Sequence, residues 1–459
     1  MAEEYTVTVE KKLPTHIWYN KGSSLCYAIN GKQGTTLTLT RGFRYTFHIN
    51  TPGHPFYFST SETGAGDGDL ISNRGVDSGV LSVLITKEMP SNIYYQCMLH
   101  EKMGGIIHIV DHHSIHLLPI ATNLTSPLCL FQLPGSEDMY IADQTGLITR
   151  MSDGYVLLDL RSRMVPLNTS YDERGLLDVV VSPNYNTNKQ LFVVYSATIP
   201  ESDKKSGLPY ETRLSKFVVR DNTVIIDSEE ILVRIHKTLP IHNGGRLAFD
   251  NSGWLYMTTG DGGPQKDPTN RSQDKHSLLG KVLRLDATSE MPKIEMYALG
   301  LRNPWSISFD TNNRCFVADV GYNDREEVNL VTRGSNYGWN IFQGTMKTGF
   351  NTPKSGEKYI DPIWEYTHEW MNTTNRGRGV VAVIGGYYIN GVGYVFGDYS
   401  GVIMRIDLDE NTNKWRLLEN VTTEHYIRAF SRINNRVFVL TTSGTGLKHG
   451  EGRVFEVLF

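Results

Sequence analysis

Cysteine is scarce in this chain. Four residues (Cys26, Cys97, Cys129 and Cys315) are spread over 459 positions, too few and too scattered for a disulfide framework. No run of about 18 apolar residues occurs, so no membrane-spanning helix is predicted. Lys and Arg form no dense cluster and the formal net charge is −4, which argues against nucleic acid as a partner. The amino-terminal stretch MAEEYTVTVEKKLP lacks the basic start and apolar centre of a secretory signal. Five Asn-x-Ser/Thr sequons (Asn123, Asn168, Asn270, Asn372, Asn420) are therefore read as chance matches. Long apolar helical stripes are also hard to find, whereas glycine (43) and tyrosine (24) are plentiful. That composition suits short strands joined by tight turns. The chain is predicted to be all-β, and its length implies two or more structural units.

Two rhythms divide it. Residues 1–110 read as alternating strands (YTVTVEK, TTLTLTRG, YTFHIN, FYFST, GVLSVLI, IYYQCML, IIHIV) separated by turn clusters at NGKQG, NTPGH and GAGDGD, the pattern of a small sandwich. Residues 111–125 show little periodicity and read as a His-rich linker (His112, His113 and His116, with His108 just before), although a metal site is conceivable there. From 126 to 459 a strand–turn–Gly–strand theme recurs: MYIADQTGLITRM, LFVVYSA…RLSKFVV, WLYMTTGD…GKVLRLDA, CFVADVGYNDREEVNLV, YVFGDYSGVIMRIDL and VFVLTTSG…GRVFEVLF. Units that cannot bury both sheet faces alone stack around an axis, which predicts a six-bladed β-propeller.

In the first region, YYQCMLHEKMGG places a thiol, an imidazole and a thioether within seven positions: Cys97, His100 and Met103. Soft thiolate, neutral imidazole and weak thioether together suit copper better than zinc. A second imidazole, His54 in GHPFYFST, lies 43 residues upstream at the start of a strand. The alternative is a packed core holding Cys97 and Met103, with the histidines on its surface. The ordered pattern His…Cys-x-x-His-x-x-Met over residues 35–110 resembles the cupredoxin (blue-copper) family, with a short ligand loop like that of amicyanin. The resemblance implies a Greek-key sandwich, His54, Cys97 and His100 as equatorial copper ligands, Met103 as the long axial one, and one-electron transfer. The wording is also similar to cupredoxin-like modules of bacterial and large-DNA-virus proteins.

In the second region, LPIHNGGRLAFDNSGWLYMTTGDGG (239–263) puts His242 and Asn243 before a Gly pair, which would let the backbone approach a flat ligand. Asp261 follows one strand later, where it could orient His242 as a general base. A plain turn, with Asp261 as its cap, fits the same letters. DERGLLDVVVSPNY, RLSKF, GKVLRLD, GLRNPWSISFD, VADVGYNDREEVNLVTRGSNYGWN and IGGYYINGVGYVFGDYSGVIMRI follow in one order. Together these motifs resemble the glucose/sorbosone dehydrogenase family: soluble PQQ-dependent aldose dehydrogenases and their hedgehog-interacting-protein-like relatives. The resemblance implies His242 as catalytic base, Asp261 as its carboxylate partner and Arg302 facing cofactor and substrate. It implies Glu173, Asn243, Asn303 and Arg428 as cofactor contacts. The backbone carbonyls of Gly321 and Tyr322 would hold a calcium ion that polarises the quinone, hard oxygen ligands being what calcium prefers.

The sequence also departs from that family. Tyr399 and Ser400 stand where quinone-using members carry a basic residue, Asp178 stands where Gly is usual, and INGVGYVFGDY is shorter than expected. Two functions follow. One is an oxidoreductase that oxidises a sugar or polyol with PQQ and passes electrons to a type 1 copper site. The other is a non-enzymatic structural, self-assembling or glycan-binding protein, for example a component of a large-DNA-virus particle. A homo-oligomer or larger assembly is expected with the second. Without a visible leader the expected location is cytoplasmic or within a virus particle, while family analogy alone points to the periplasm or the extracellular space.

Overall fold

Strand Arg44–Asn50 buries every second side chain (Tyr45, Phe47, Ile49) and turns Arg44, His48 and Asn50 outward, the period-2 pattern of a strand with one face on a core. In the computed structural model, which describes residues 3–459 other than 42–43, 71–74, 87, 111–114, 200–208, 290–291, 376 and 410–411, this strand belongs to the first of two compact units. One covers residues 1–113 and 410–412, the other residues 114–409 and 413–459.

The first unit is a pair of sheets. One runs in the order Lys32–Gln33, Leu25–Ile29, Glu3–Lys11, Arg44–Asn50, Ser78–Leu84, and the other in the order Leu37–Thr40, Gly105–Val110, Asn92–Cys97, Phe56–Ser59. All seven predicted strands are present. Leu25–Ile29 and Lys32–Gln33 are additional, joined across the turn at Asn30–Gly31. They escape pattern reading because four consecutive residues of Leu25–Ile29 are buried, so nothing alternates. Phe47, Phe56, Phe58, Tyr95 and Cys97 meet in the core between the sheets. Burying each large apolar side chain there contributes about 1.5–3 kcal/mol.

Among the described residues the second unit contains six four-stranded antiparallel sheets, and each quoted repeat falls on the second and third strands of one of them. The first strands are Pro127–Gln132, Leu176–Val181, Gly244–Phe249, Pro304–Phe309, Val383–Ile389 and Tyr426–Ile433. Each touches the next, and the last touches the first, so they form a closed ring. Part of the stretch read as a linker is structured: His116–Leu124 pairs with Gly452–Leu458 as the fourth strand of the sixth sheet. Its apolar residues face a partner far away in sequence, which is why no local rhythm shows. His112 and His113 lie outside the described residues. Helix is limited to single short stretches such as His368–Thr374, and no described helix is long and apolar enough to cross a membrane. The four cysteines are free and buried.

Candidate functional site

In each sheet of the ring, the start of the first strand and the end of the second lie together, because the two run antiparallel. His242 and Asn243 precede Gly244–Phe249, and Asp261 follows Leu255–Thr259. Arg302 and Asn303 precede Pro304–Phe309, Gly321 and Tyr322 follow Cys315–Asp319, and Glu173 precedes Leu176–Val181. One end of the ring therefore carries all of these predicted residues.

His242 adopts a left-handed backbone conformation (φ 51°), uncommon for a residue with a Cβ. Its N–H donates to Glu173 Oε2 at 2.7 Å, and its Nδ1 lies 2.6 Å from Asp261 Oδ1. A carboxylate only accepts, so Nδ1 carries the proton and Nε2 is left as the basic nitrogen. Asp261 is fully buried and accepts from Gly263 N at 2.7 Å and from the Trp339 indole at 2.9 Å. Burial pulls its pKa up, but the hydrogen bond and charge of His242, with Arg302 nearby and Gly263 N–H, outweigh that and hold it below the ordinary carboxylate value.

Arg302 is buried, with Nη1 on Val320 O at 3.0 Å, Nη2 on Gln265 Oε1, and Nε without a protein partner. Its guanidinium lies 5.5 Å from the Trp339 ring and 5.8 Å from the Tyr322 ring. Asp319 holds the loop below by accepting from Arg302 N and Asn303 N. Asn303 Oδ1 accepts from Gly244 N at 3.1 Å. No donor among the described residues reaches the carbonyl of Gly321 or Tyr322.

The Asn243 amide serves the scaffold: Oδ1 accepts from Tyr210, and Nδ2 donates to Glu173 O and Pro240 O. The Gly pair is closely packed by protein. A Cβ on Gly244 would stand 2.8 Å from Gly260 N, and one on Gly245 2.5 Å from Leu177 Cδ1. Arg428, on the first strand of the sixth sheet, donates to Gln144 Oε1 at 2.5 Å and lies 5.8 Å from the ring of Tyr399. The Ser400 hydroxyl donates to Asp398 at 2.5 Å. Asp178 pairs with Arg246 and accepts from Leu247 N, tying the second sheet to the third.

In the first unit, Phe56 sits opposite Cys97 in the ladder between Phe56–Ser59 and Asn92–Cys97, and this register brings His54 to the Cys97 loop. His54 Nδ1 is 3.2 Å from His100 Nδ1, which is 3.6 Å from Cys97 Sγ, and the three atoms lie within 4.8 Å of one another. Cys97 is fully buried, and its sulfur accepts from Leu99 N at 3.4 Å. Met103 is fully buried in the same core. Burial, and then the neighbouring His100, lower the pKa of His54.

Trp339, Gln265 and Lys237 were invisible as site residues. Trp339 stands in the matched stretch GSNYGWN, but its partner Asp261 comes from another sheet. Lys237 closes an ordinary strand and donates to His242 O at 2.8 Å.

The family described as Glucose / Sorbosone dehydrogenase matches residues 124–383. HIPL2 protein of Arabidopsis thaliana is 33% identical over 232 residues, covering 41% of this chain and 33% of its own length. Quinoprotein glucose dehydrogenase B of Acinetobacter calcoaceticus is 27% identical over 246 residues, covering 48% of this chain and 51% of its own. This chain thus spans from a third to about half of these relatives. The PQQ-bound aldose sugar dehydrogenase from Streptomyces coelicolor superposes with a TM-score of 0.58 at 24% identity, over 75% of this chain and 98% of that one, a likeness of propeller fold.

Proposed function

This chain belongs to the glucose/sorbosone dehydrogenase family, and from that premise we propose that it is a quinone-dependent oxidoreductase acting on a sugar or polyol. The observation that carries this reading is the 2.6 Å bond between His242 Nδ1 and Asp261 Oδ1. It leaves Nε2 free to take the hydroxyl proton while the carbon-bound hydrogen leaves with its electron pair. PQQ, when bound, supplies the two-electron acceptor. Arg302 suits its carbonyl and carboxylate oxygens, having a buried Nε without a protein partner. The uncommitted Gly321 and Tyr322 carbonyls suit a calcium ion. Glu173 holds the His242 backbone, and Trp339 holds the carboxylate that orients the ring. We read the six sheets as six blades.

For the first unit we propose a cupredoxin-like domain whose His54, Cys97 and His100 would hold copper, with Met103 as a fourth ligand, and which would accept electrons from the ring. The ligand triangle supports this: one soft sulfur and two imidazole nitrogens within 4.8 Å suit one copper ion.

A second reading, a non-enzymatic binding or structural protein, is favoured by Tyr399 and Ser400. Both are buried where quinone-using members carry a basic residue, and the Ser400 hydroxyl is committed to Asp398.

The deciding experiment loads the protein with PQQ and calcium and follows dye reduction on addition of aldoses. Turnover abolished in His242→Gln supports the enzyme. No PQQ binding in the presence of calcium overturns it and leaves the second reading.

A further inference from the structure

We infer that Lys237 is a positioning residue for His242: its buried ammonium clamps the backbone of the Ile241–His242 turn and sets a positive charge beside the His242–Asp261 pair. Lys237 ends the strand Thr223–Lys237 and is 2% exposed. Its Nζ donates to His242 O at 2.8 Å and to Ile241 O at 3.3 Å. The loop after Asp261 closes over it, since a Cβ on Gly262 would stand 3.2 Å from Nζ. His242 is thereby gripped at three points: Glu173 takes its N–H, Lys237 its carbonyl and Asp261 its ring. A non-glycine residue held in the left-handed region persists only where its surroundings over-determine it, and these three contacts do so.

The clamp also carries charge. No carboxylate among the described residues lies within ion-pair distance of Nζ, whose hydrogen bonds go to the carbonyls of Ile241 and His242. The charged groups that face it are Asp261, Glu173 and Arg271, together with His242 itself when protonated. Burial pushes its pKa down to about 8, against the pull of Asp261 and Glu173 and with the help of Arg271. Below that pH a fixed positive charge stands beside the His242–Asp261 pair. Above it the neutral amine still donates to both carbonyls, so the clamp outlasts the charge.

This inference rests on reading His242 as a base, but its test needs neither quinone nor sugar. The full-length chain, with its histidine rings isotopically labelled, is titrated by NMR, and the His242 signals are assigned with His242→Gln. In the unsubstituted protein the His242 ring resonances are expected to show a separate inflection near pH 8, from Lys237. Lys237→Met and Lys237→Arg abolish it. The far-downfield proton of the Nδ1–H···Asp261 bond moves upfield or vanishes in Lys237→Met and stays in Lys237→Arg. The inference is overturned if the unsubstituted protein has no inflection between about pH 7 and pH 9. It is also overturned if a folded Lys237→Met keeps both signatures. A Lys237→Met chain that does not fold leaves the unsubstituted and Lys237→Arg titrations to decide. Failure to bind PQQ leaves every one of these readings intact.

Discussion

The indole N–H of Trp339 donates to Asp261 at 2.9 Å, on the carboxylate oxygen that His242 does not use. The buried carboxylate is thus bonded at both oxygens, and Trp339 links it to Arg302 through its ring face. Trp339→Phe keeps the ring and removes the donor. A buried acceptor left unsatisfied costs about 1–3 kcal/mol, so the unfolding free energy from urea denaturation should fall by that amount. An unchanged value would mean that water replaces the indole.

His242→Gln and Asp261→Asn test the chemistry. If the proposed activity is present, with PQQ and calcium bound, either substitution should lower kcat by roughly 10²–10⁴-fold, with KM for the sugar changing far less. Equal turnover by either variant would remove His242 from the proton path.

Copper supplied to the metal-free protein should bind in one equivalent and give strong visible absorption from the Cys97 thiolate, absent in Cys97→Ser. Because ligand binding stabilises the folded form, copper at a hundred times its Kd should add about 2.7 kcal/mol to the stability of the unit that holds it. Met103→Leu should retain the metal with an altered spectrum, as an axial ligand tunes the site more than it holds it. Copper bound equally well by Cys97→Ser would refute the assignment of these ligands.

His368 gives a pH dependence with a definite sign. Burial opposes its charge, but the 2.7 Å hydrogen bond to Glu326 and that carboxylate's charge outweigh the penalty, so its folded pKa lies above the ordinary 6.5. The stabilisation is fully present below about 6.5 and is lost as pH rises through the higher folded value. Unfolding free energies compared between about pH 6 and about pH 9 should fall less steeply in His368→Gln than in the unsubstituted protein. Parallel curves would show that the pair contributes nothing.

Legibility tracked the distance over which a residue finds its partner. His242 and Asp261 flank a single hairpin, Gly244–Phe249 and Leu255–Thr259, and their pairing could be read from spacing. The alternation in Arg44–Asn50 announced its own sheet. His54 and Cys97 were placed together from ligand chemistry, and the Phe56–Cys97 register is what brings them into contact. Trp339, Lys237 and Gln265 act through bonds between loops of different sheets, and no local pattern encodes those. The Gly244–Gly245 pair was legible as a close approach but not as to what approaches, because the neighbours that crowd it, Gly260 and Leu177, are set by the ring.

Closure of the sixth sheet has a consequence for how the chain is made. Each of the other five sheets draws its strands from one continuous stretch of chain, the fourth with an excursion between Val331 and Trp364. The sixth must wait: His116 pairs with Leu458, and Leu124 with Gly452. A nascent chain therefore carries an open arc, with an unpaired strand edge, until Gly452–Leu458 has been made. Contacts this remote in sequence are slow to form, and unpaired edges are where such chains associate wrongly. The seam acts as a clasp on the ring, and loosening it should govern how fast the propeller unravels.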